Sequence, residues 1–217
     1  MARNKYPEET VSLILDVAGR LFMEKGYEHT SIQDIIDNLG GLSKGAIYHH
    51  FKSKEEILDA VTDRIMEESN RKLAGTLERR DLNGIEKLRT LFKSSLCRPA
   101  QDEIFQVAPG FYNNPRLLAS LLYETIELTA PEYILPIIME GIADGSIVAE
   151  HPKQLAELIS LVANVWINPM IFDNSVEETY YKFLVFDQML KGMGLDIVDE
   201  EMIARMCELT AIYQERK

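Results

Sequence analysis

The 217-residue sequence predicts an all-α protein. Apolar residues recur at helical spacing along most of the chain, and no segment alternates with period two for long enough to predict a strand. Start and stop signals, such as Pro7 before two glutamates and Asp144-Gly145, divide the chain into segments of ordinary helix length. Hydrophobic residues make up 46% of the sequence, which is typical of a globular protein with a buried core.

Charge and composition exclude several classes of protein. The formal net charge is −12 at pH 7, which argues against a sequence-independent nucleic-acid coat. No apolar run approaches the ~18 residues that a membrane-spanning helix requires, and the N-terminus lacks the apolar segment of a secretory signal. Cys97 and Cys207 stand alone, without the spacing of a disulfide framework or a zinc site. We therefore expect a cytoplasmic protein with no cofactor, no metal and no membrane partner.

The first two helices are predicted from their ends. Pro7 suits a first helical turn because it lacks the N–H that is unbonded there, and Gly26 ends the apolar pattern that follows. The segment 30–33, Thr-Ser-Ile-Gln, has the pattern of a capping box and opens the second helix. Gly40-Gly41 then ends that helix.

Two further helices follow at once. Ser43 caps the third helix, in which Ile47 and Phe51 are four residues apart and face inward. Ser53 and Glu56 form a second capping-box pattern and open the fourth helix. Beyond them, amphipathic helices are predicted over 60–78, 85–97, 115–127, 131–143, 153–168, 176–191 and 200–215.

The segment 38–54 contains no Asp or Glu, although the chain as a whole is acidic. Two short helices joined by a glycine turn match a helix-turn-helix, whose second helix enters the major groove of DNA. Gly45 and Ala46 are small enough for the helix backbone to approach base edges, and Lys44 can reach a guanine or a phosphate. The candidate DNA-binding residues are Thr30, Ser31, Ser43, Lys44, Gly45, Ala46, Tyr48, His49, His50 and Lys54.

Structural roles remain open for several of these residues. Thr30 and Ser43 can cap helices whatever the function, and Tyr48 can be a half-buried ring. His49 and His50 do not form a metal pair, because adjacent residues on a helix point about 100° apart.

The run LSKGAIYHHFKSKEEIL, preceded by Gly26-Tyr27 and TSIQDI, resembles the DNA-binding domain of TetR-type transcriptional regulators over about residues 8–60. The resemblance implies that 43–46 face bases, that Thr30, Tyr48, His50 and Lys54 contact the sugar-phosphate backbone, and that His49 does either. Base readout would rely on Lys44, methyl contacts and DNA shape. It also implies a helix-turn-helix domain over 1–55 and a helical ligand-binding and dimerisation domain over 56–217.

The second domain is expected to form a homodimer. One helix-turn-helix recognises few bases, so two copies placed one turn of DNA apart are the usual solution. The segments 153–168 and 176–191 have wide apolar faces, and the resemblance implies that they pair between subunits. The alternative is that these faces belong to the core of one chain.

Aromatic and methionine residues in the second domain suit an adaptable apolar pocket, although they suit a core equally well. The resemblance implies a site for a small, mostly apolar effector. Candidate ligand-binding residues are Phe105, Tyr123, Tyr133, Trp166 and Met170, with Glu103, Glu124 or Asn164 as a polar contact.

The sequence thus favours a homodimeric, ligand-responsive transcriptional regulator, a repressor that leaves a palindromic operator when the ligand binds. One alternative is an architectural or activator protein that binds DNA without a ligand. Another is a helical enzyme with an N-terminal docking module. We find no nucleophile–base set and no paired carboxylates of catalytic type, so we do not expect an enzyme.

Overall fold

A computed structural model describes residues 7–41, 44–97, 99–107, 111 and 115–215. Within these residues all regular secondary structure is helical, which confirms the predicted all-α fold. The chain separates into two compact units. One is formed by Met1–Glu68 with Gln106–Pro109, and the other by Ser69–Phe105 with Gly110–Lys217.

The first unit contains α1 (Pro7–Lys25), α2 (Ile32–Asp37), α3 (Lys44–His50) and the beginning of α4 (Lys54–Leu77). Each helix contributes apolar side chains at the helical spacing expected from the sequence. The buried set is Ile14, Leu15, Ala18, Leu21, Phe22, Ile35, Leu39, Ile47, Phe51, Ile57, Leu58 and Val61. This shared core holds the short helices α2 and α3, which are too short to be stable alone.

Glycines end the first two helices as predicted. Gly26 follows α1 with φ +80°, and Gly40 and Gly41 follow α2 with φ +63° and +108°. These left-handed values favour glycine because a Cβ would clash with the backbone. The chain can therefore reverse direction sharply after each helix.

The capping box of α2 lies one residue further along than we predicted. Ser31, not Thr30, is the N-cap: its hydroxyl accepts a hydrogen bond from the Asp34 N–H, and the Asp34 carboxylate accepts one from the Ser31 N–H. The predicted cap of α4 is confirmed, since the Glu56 N–H donates to the Ser53 hydroxyl at 3.2 Å. Ser43, the predicted cap of α3, lies outside the described residues.

The second unit contains the end of α4 and the remaining helices. These are α5 (Gly84–Leu96), α6 (Pro99–Val107), α7 (Pro115–Tyr123), α8 (Leu135–Asp144), α9 (Pro152–Leu161), α10 (Pro169–Phe172), α11 (Val176–Gly192) and α12 (Glu200–Glu215). Helices α6 and α10 were not predicted from the sequence. Each begins at a proline in the first turn, which is a usable start signal.

Two π-helical segments differ from the prediction. We expected separate helices over 115–127 and 131–143, but a π-helix, π1 (Glu124–Ile134), joins α7 directly to α8 and contains Pro131. A second one, π2 (Val162–Trp166), extends α9. The proline ring would clash with the carbonyl four residues earlier in an α-helix, and the wider π turn relieves that clash.

Helices α5 and α8 approach unusually closely. A Cβ added at Gly84 would lie 2.2 Å from the Cα of Gly141, so the crossing requires a glycine at position 84. The Gly84 N–H donates to a carboxylate oxygen of Asp144 at 2.8 Å. Nearby, the buried ammonium of Lys87 pairs with Glu140 and donates to the carbonyl of Leu77. These contacts fix the part of the second unit in which α5, α8 and the end of α4 meet.

Candidate nucleic-acid interface

The recognition helix α3 presents one buried side and one exposed side. Ile47 is fully buried and Phe51 is nearly so, which anchors the helix against the core of the first unit. Lys44, Gly45, Tyr48 and His49 are exposed, and Ala46 and His50 are half-buried. Lys44, Gly45, Tyr48 and His49 therefore share the side that faces away from the core, as a recognition helix requires, whereas Ala46 and His50 lie at its edges.

Lys44 and Tyr48 lie one turn apart on this exposed side. The Lys44 ammonium is 5.8 Å from the centroid of the Tyr48 ring, at the outer limit of a cation–π contact. An amine near the N-terminal end of the helix is placed to meet an acceptor on a base edge or a phosphate oxygen. The rings of His49 and His50 lie edge to face at 5.0 Å, with His49 pointing into solvent.

Ser31 remains exposed at the start of α2, but it has a close anionic neighbour that the sequence analysis overlooked. Its hydroxyl and N–H both bond to Asp34, and these bonds hold the pKa of that carboxyl well below its usual range. Lys25 contributes as well, since its ammonium lies 3.0 Å from the same carboxylate. The ion pair offsets the repulsion that a bare carboxylate would exert on an approaching phosphate.

Thr30 faces the interior rather than the solvent. Its side chain is 1% exposed, and its hydroxyl lies 2.9 Å from the carbonyl of Gly26 and 3.2 Å from that of Leu21. A hydroxyl so enclosed cannot reach a phosphate. The Thr30 side chain, which we expected to contact DNA, instead closes the turn between α1 and α2.

Lys54 is likewise turned toward the protein. Its ammonium donates to the carbonyl of Tyr27 at 2.8 Å and lies 4.1 Å from the centroid of the Tyr27 ring. Burial, followed by the negative charge of the Glu55 carboxylate, raises the pKa of Tyr27 to about 12. The first turn of α4 is thus joined to the turn between α1 and α2.

The five candidate ligand-binding residues differ in their surroundings. Phe105 and Met170 are buried, Tyr133 and Trp166 are half-buried, and the Tyr123 ring is 64% exposed. Tyr123 therefore does not share an interior location with the other four.

The structure also bears on the residues that were candidate polar contacts for a ligand. The Glu103 side chain lies outside the described residues, and the Asn164 amide donates to the carbonyl of Ser160 at 3.0 Å. Sequence reasoning missed Ser160 itself, whose buried hydroxyl has no hydrogen-bond partner among the described residues. It lies on α9, a helix that packs against π1. A serine inside an apolar helix face gives no signal of this kind in the sequence alone.

Helix α9 covers the beginning of the first predicted dimerisation segment, and α11 covers the second. Both helices have apolar residues on more than one side. Ile159, Phe183 and Phe186 are buried within the chain. Large apolar side chains on the same helices remain exposed: Leu158, Leu161, Tyr180, Tyr181 and Val185. Large exposed apolar surfaces often mark protein–protein contacts.

Lys182 holds the end of π2 in this region. Its ammonium donates to the carbonyl of Trp166 at 2.9 Å and lies 4.1 Å from the centroid of the Phe172 ring. Burial lowers the pKa of this amine. The lysine satisfies a carbonyl at a helix end, where no intrahelical donor is available.

Among the described residues there is no cluster of His, Cys, Asp and Glu that could hold a metal ion. The helices described are also too short or too polar to cross a membrane.

Comparison with known proteins agrees with this geometry. The family model for bacterial regulatory proteins of the tetR family matches residues 14–61, which run from within α1 into α4. The "HTH-type transcriptional repressor KstR2" of Mycolicibacterium smegmatis is 31% identical over 141 residues, which are 61% of this chain and 65% of that protein. The protein of the same name from Rhodococcus jostii is 48% identical over 48 residues, 22% of this chain and 23% of its own. The chain thus spans less than two thirds of each repressor's length.

A solved structure shares the fold over nearly the whole chain. The TetR-family transcriptional regulator from Pectobacterium atrosepticum superposes with a TM-score of 0.57. The superposition covers 98% of this chain and 94% of that one at 20% sequence identity. Identity this low supports likeness of fold only.

Proposed function

The chain belongs to the TetR family of bacterial regulatory proteins, and on that premise we propose that it is a homodimeric transcriptional regulator. It binds a palindromic operator as a repressor and leaves it when a small, mostly apolar ligand binds. It acts by binding rather than by catalysis, in the cytoplasm. We assign DNA binding to residues 1–55, and ligand binding and dimerisation to 56–217.

The observation that carries this proposal is the exposed side of α3. Lys44, Tyr48 and His49 project from a helix that is anchored by Ile47, in a stretch of 17 residues without a carboxylate. The remainder of the chain is strongly acidic, so phosphate is repelled elsewhere and accepted here. Ser31, Gly45, Ala46 and His50 complete the proposed contact surface within the described residues.

Homodimer formation is supported by the exposed apolar side chains of α9 and α11. A single recognition helix covers few base pairs, and two copies about 34–36 Å apart would read both halves of a palindrome. We propose that Leu158, Tyr181 and Val185 lie in this interface. Their burial against a second copy would remove apolar surface from water.

The ligand site is proposed in the second unit. Phe105, Met170 and Trp166 supply apolar surface, and the Ser160 hydroxyl, which is buried without a partner, is the candidate polar contact. A buried hydroxyl without a hydrogen bond is destabilising, and a ligand acceptor or donor would relieve that cost. To reverse a 99:1 population of the DNA-bound state, the ligand must prefer the released state by about 5.5 kcal/mol.

DNA binding is tested with an operator obtained by selection from random double-stranded DNA. We expect Lys44→Ala and Tyr48→Ala each to weaken binding by about 1–3 kcal/mol, roughly 5- to 150-fold, in fluorescence anisotropy titrations. Lys153→Ala is the matched control, since it removes an exposed lysine from α9 of the second unit. Circular dichroism should show unchanged helix content. Undiminished binding by both α3 variants would overturn the assignment of this surface.

A further inference from the structure

Lys54 carries a positive charge at the edge of the acid-free segment, yet its ammonium is occupied inside the first unit. It donates to the Tyr27 carbonyl at 2.8 Å and lies over the Tyr27 ring at 4.1 Å. A lysine held by both a carbonyl and an aromatic face has lost the freedom to follow a phosphate. By contrast, Lys44 and Lys52 are exposed on the same segment.

Tyr27 is itself fixed on three sides. The residue is 7% exposed, and its ring packs edge to face on Phe22 with centroids 5.4 Å apart. Its hydroxyl interacts electrostatically with Glu55, the neighbour of Lys54 on α4. Its carbonyl accepts a second hydrogen bond, from the Thr30 N–H at 3.2 Å. Tyr27 therefore couples the position of α4 to the turn between α1 and α2.

The segment that receives this contact is a closed turn. Gly26 has φ +80°, and the buried Thr30 hydroxyl bonds to the Gly26 carbonyl at 2.9 Å. Residues 26–30 join α1 to α2, and α2 precedes the glycine turn that leads to the recognition helix. Any change in the tilt of α4 at Lys54 must strain this turn or break the contact with Tyr27.

We propose that Lys54 is a positioning residue and not a phosphate contact: with Tyr27 and Glu55 it locks the first turn of α4 to the turn between α1 and α2. This inference rests on the proposed function, because the lock matters for the orientation of a DNA-reading helix. It assigns Lys54 a different role from the one that its place in the sequence implies. Movement of α4 on ligand binding would be transmitted to the recognition helix α3 through this lock.

The salt dependence of operator binding separates the two roles. A lysine that neutralises a phosphate contributes about 0.9 to the slope of log K against log salt, so a dimer that loses two such contacts has a slope lower by about 2. A positioning lysine contributes to affinity and leaves the slope unchanged. We expect Lys54→Met to weaken operator binding about tenfold with an unaltered slope, because it loses a charge-assisted hydrogen bond that orients α4.

Lys54→Arg is the second variant and keeps the protein charge unchanged. An arginine would serve a phosphate at least as well as a lysine. It would not reproduce the fit of an ammonium between the carbonyl and the ring of Tyr27. We therefore expect a loss of operator affinity in this variant also. Wild-type affinity in Lys54→Arg combined with a lower slope in Lys54→Met would overturn the proposal.

Amide hydrogen exchange in the absence of DNA makes the lock testable apart from the proposed function. Lys54→Met should speed exchange in residues 26–31, since Lys54 no longer holds in place the Tyr27 carbonyl that accepts from the Thr30 N–H. Lys52→Met, which removes an exposed lysine from the same segment, should leave that exchange unchanged. Unaltered exchange in Lys54→Met would overturn the lock. Failure of the wild-type chain to select any DNA sequence would instead overturn the proposed function.

Discussion

The crossing of α5 and α8 gives a prediction whose size follows from the structure. Replacing Gly84 by alanine would place a Cβ 2.2 Å from the Cα of Gly141 and 2.4 Å from its N atom. Ordinary contact begins at 3.4 Å, so the two backbones must separate by about 1.2 Å. No rotamer change can relieve this overlap, because both atoms belong to the backbone.

The expected loss of stability has two parts. Overpacking of a tight contact costs about 1–3 kcal/mol. Separation of the helices also weakens the hydrogen bond from the Gly84 N–H to the Asp144 carboxylate, so we expect a loss at the upper end of that range. A total near 3 kcal/mol corresponds to a fall of roughly 6–12 °C in Tm for a chain of this size.

Thermal unfolding followed by circular dichroism measures this effect at fixed protein concentration. Gly75→Ala is the matched control: Gly75 lies on α4, and a Cβ there would meet no atom within 4 Å. The same substitution should raise stability there by up to about 1 kcal/mol, because alanine favours the helix. An unchanged or higher Tm for Gly84→Ala would refute the close approach of the two helices.

Two further predictions concern the start of α2 and the dimer surface. The bonds from Ser31 and the contact with Lys25 lower the pKa of Asp34 from its ordinary 3.8, so its carboxylate stabilises the folded state above that pH and loses this effect as pH falls through the folded pKa. The Tm difference between wild type and Asp34→Asn should accordingly be constant from pH 7 to 5 and shrink steadily below about pH 4, and a difference that does not shrink between pH 4 and 2.5 would contradict this reasoning. Val185→Glu should convert the proposed dimer to a folded monomer in sedimentation experiments, because Val185 is 52% exposed in the single chain and the glutamate charge would be buried in the interface. The control Val148→Glu, at a position 87% exposed beyond α8, should stay dimeric.

The core of the first unit could be predicted from the sequence because its signals are local. Helical spacing identified Ile47 and Phe51 as inward-facing, and the positive φ values of Gly40 and Gly41 confirm the predicted break. The shift of the cap from Thr30 to Ser31 could not be predicted in this way. Both residues are good caps, and the choice depends on carbonyls of α1 that take up the Thr30 hydroxyl.

Contacts between distant segments explain the remaining differences. Lys54 looks like a free cation at a helix start until the fold brings the Tyr27 carbonyl to it from 27 residues away. Pro131 looks like a helix break, but burial of Ala130 and Ile134 around it favours a continuous helix that widens instead of ending. In both cases the local sequence favours one outcome, and contacts with distant residues favour another.

The π-helical segment between α7 and α8 has a consequence for sequence alignment. Its hydrogen bonds run from each residue to the fifth along, so it uses more residues per turn than an α-helix. A relative with an unbroken α-helix would cover the same distance with fewer residues, and a gap is then expected within 124–134. If the gap were placed outside this range, each residue of α8 would be matched about 100° from its true counterpart. One of the adjacent buried residues Ile137 and Ile138 would then be paired with a less buried position, and the core of the second unit would look falsely variable.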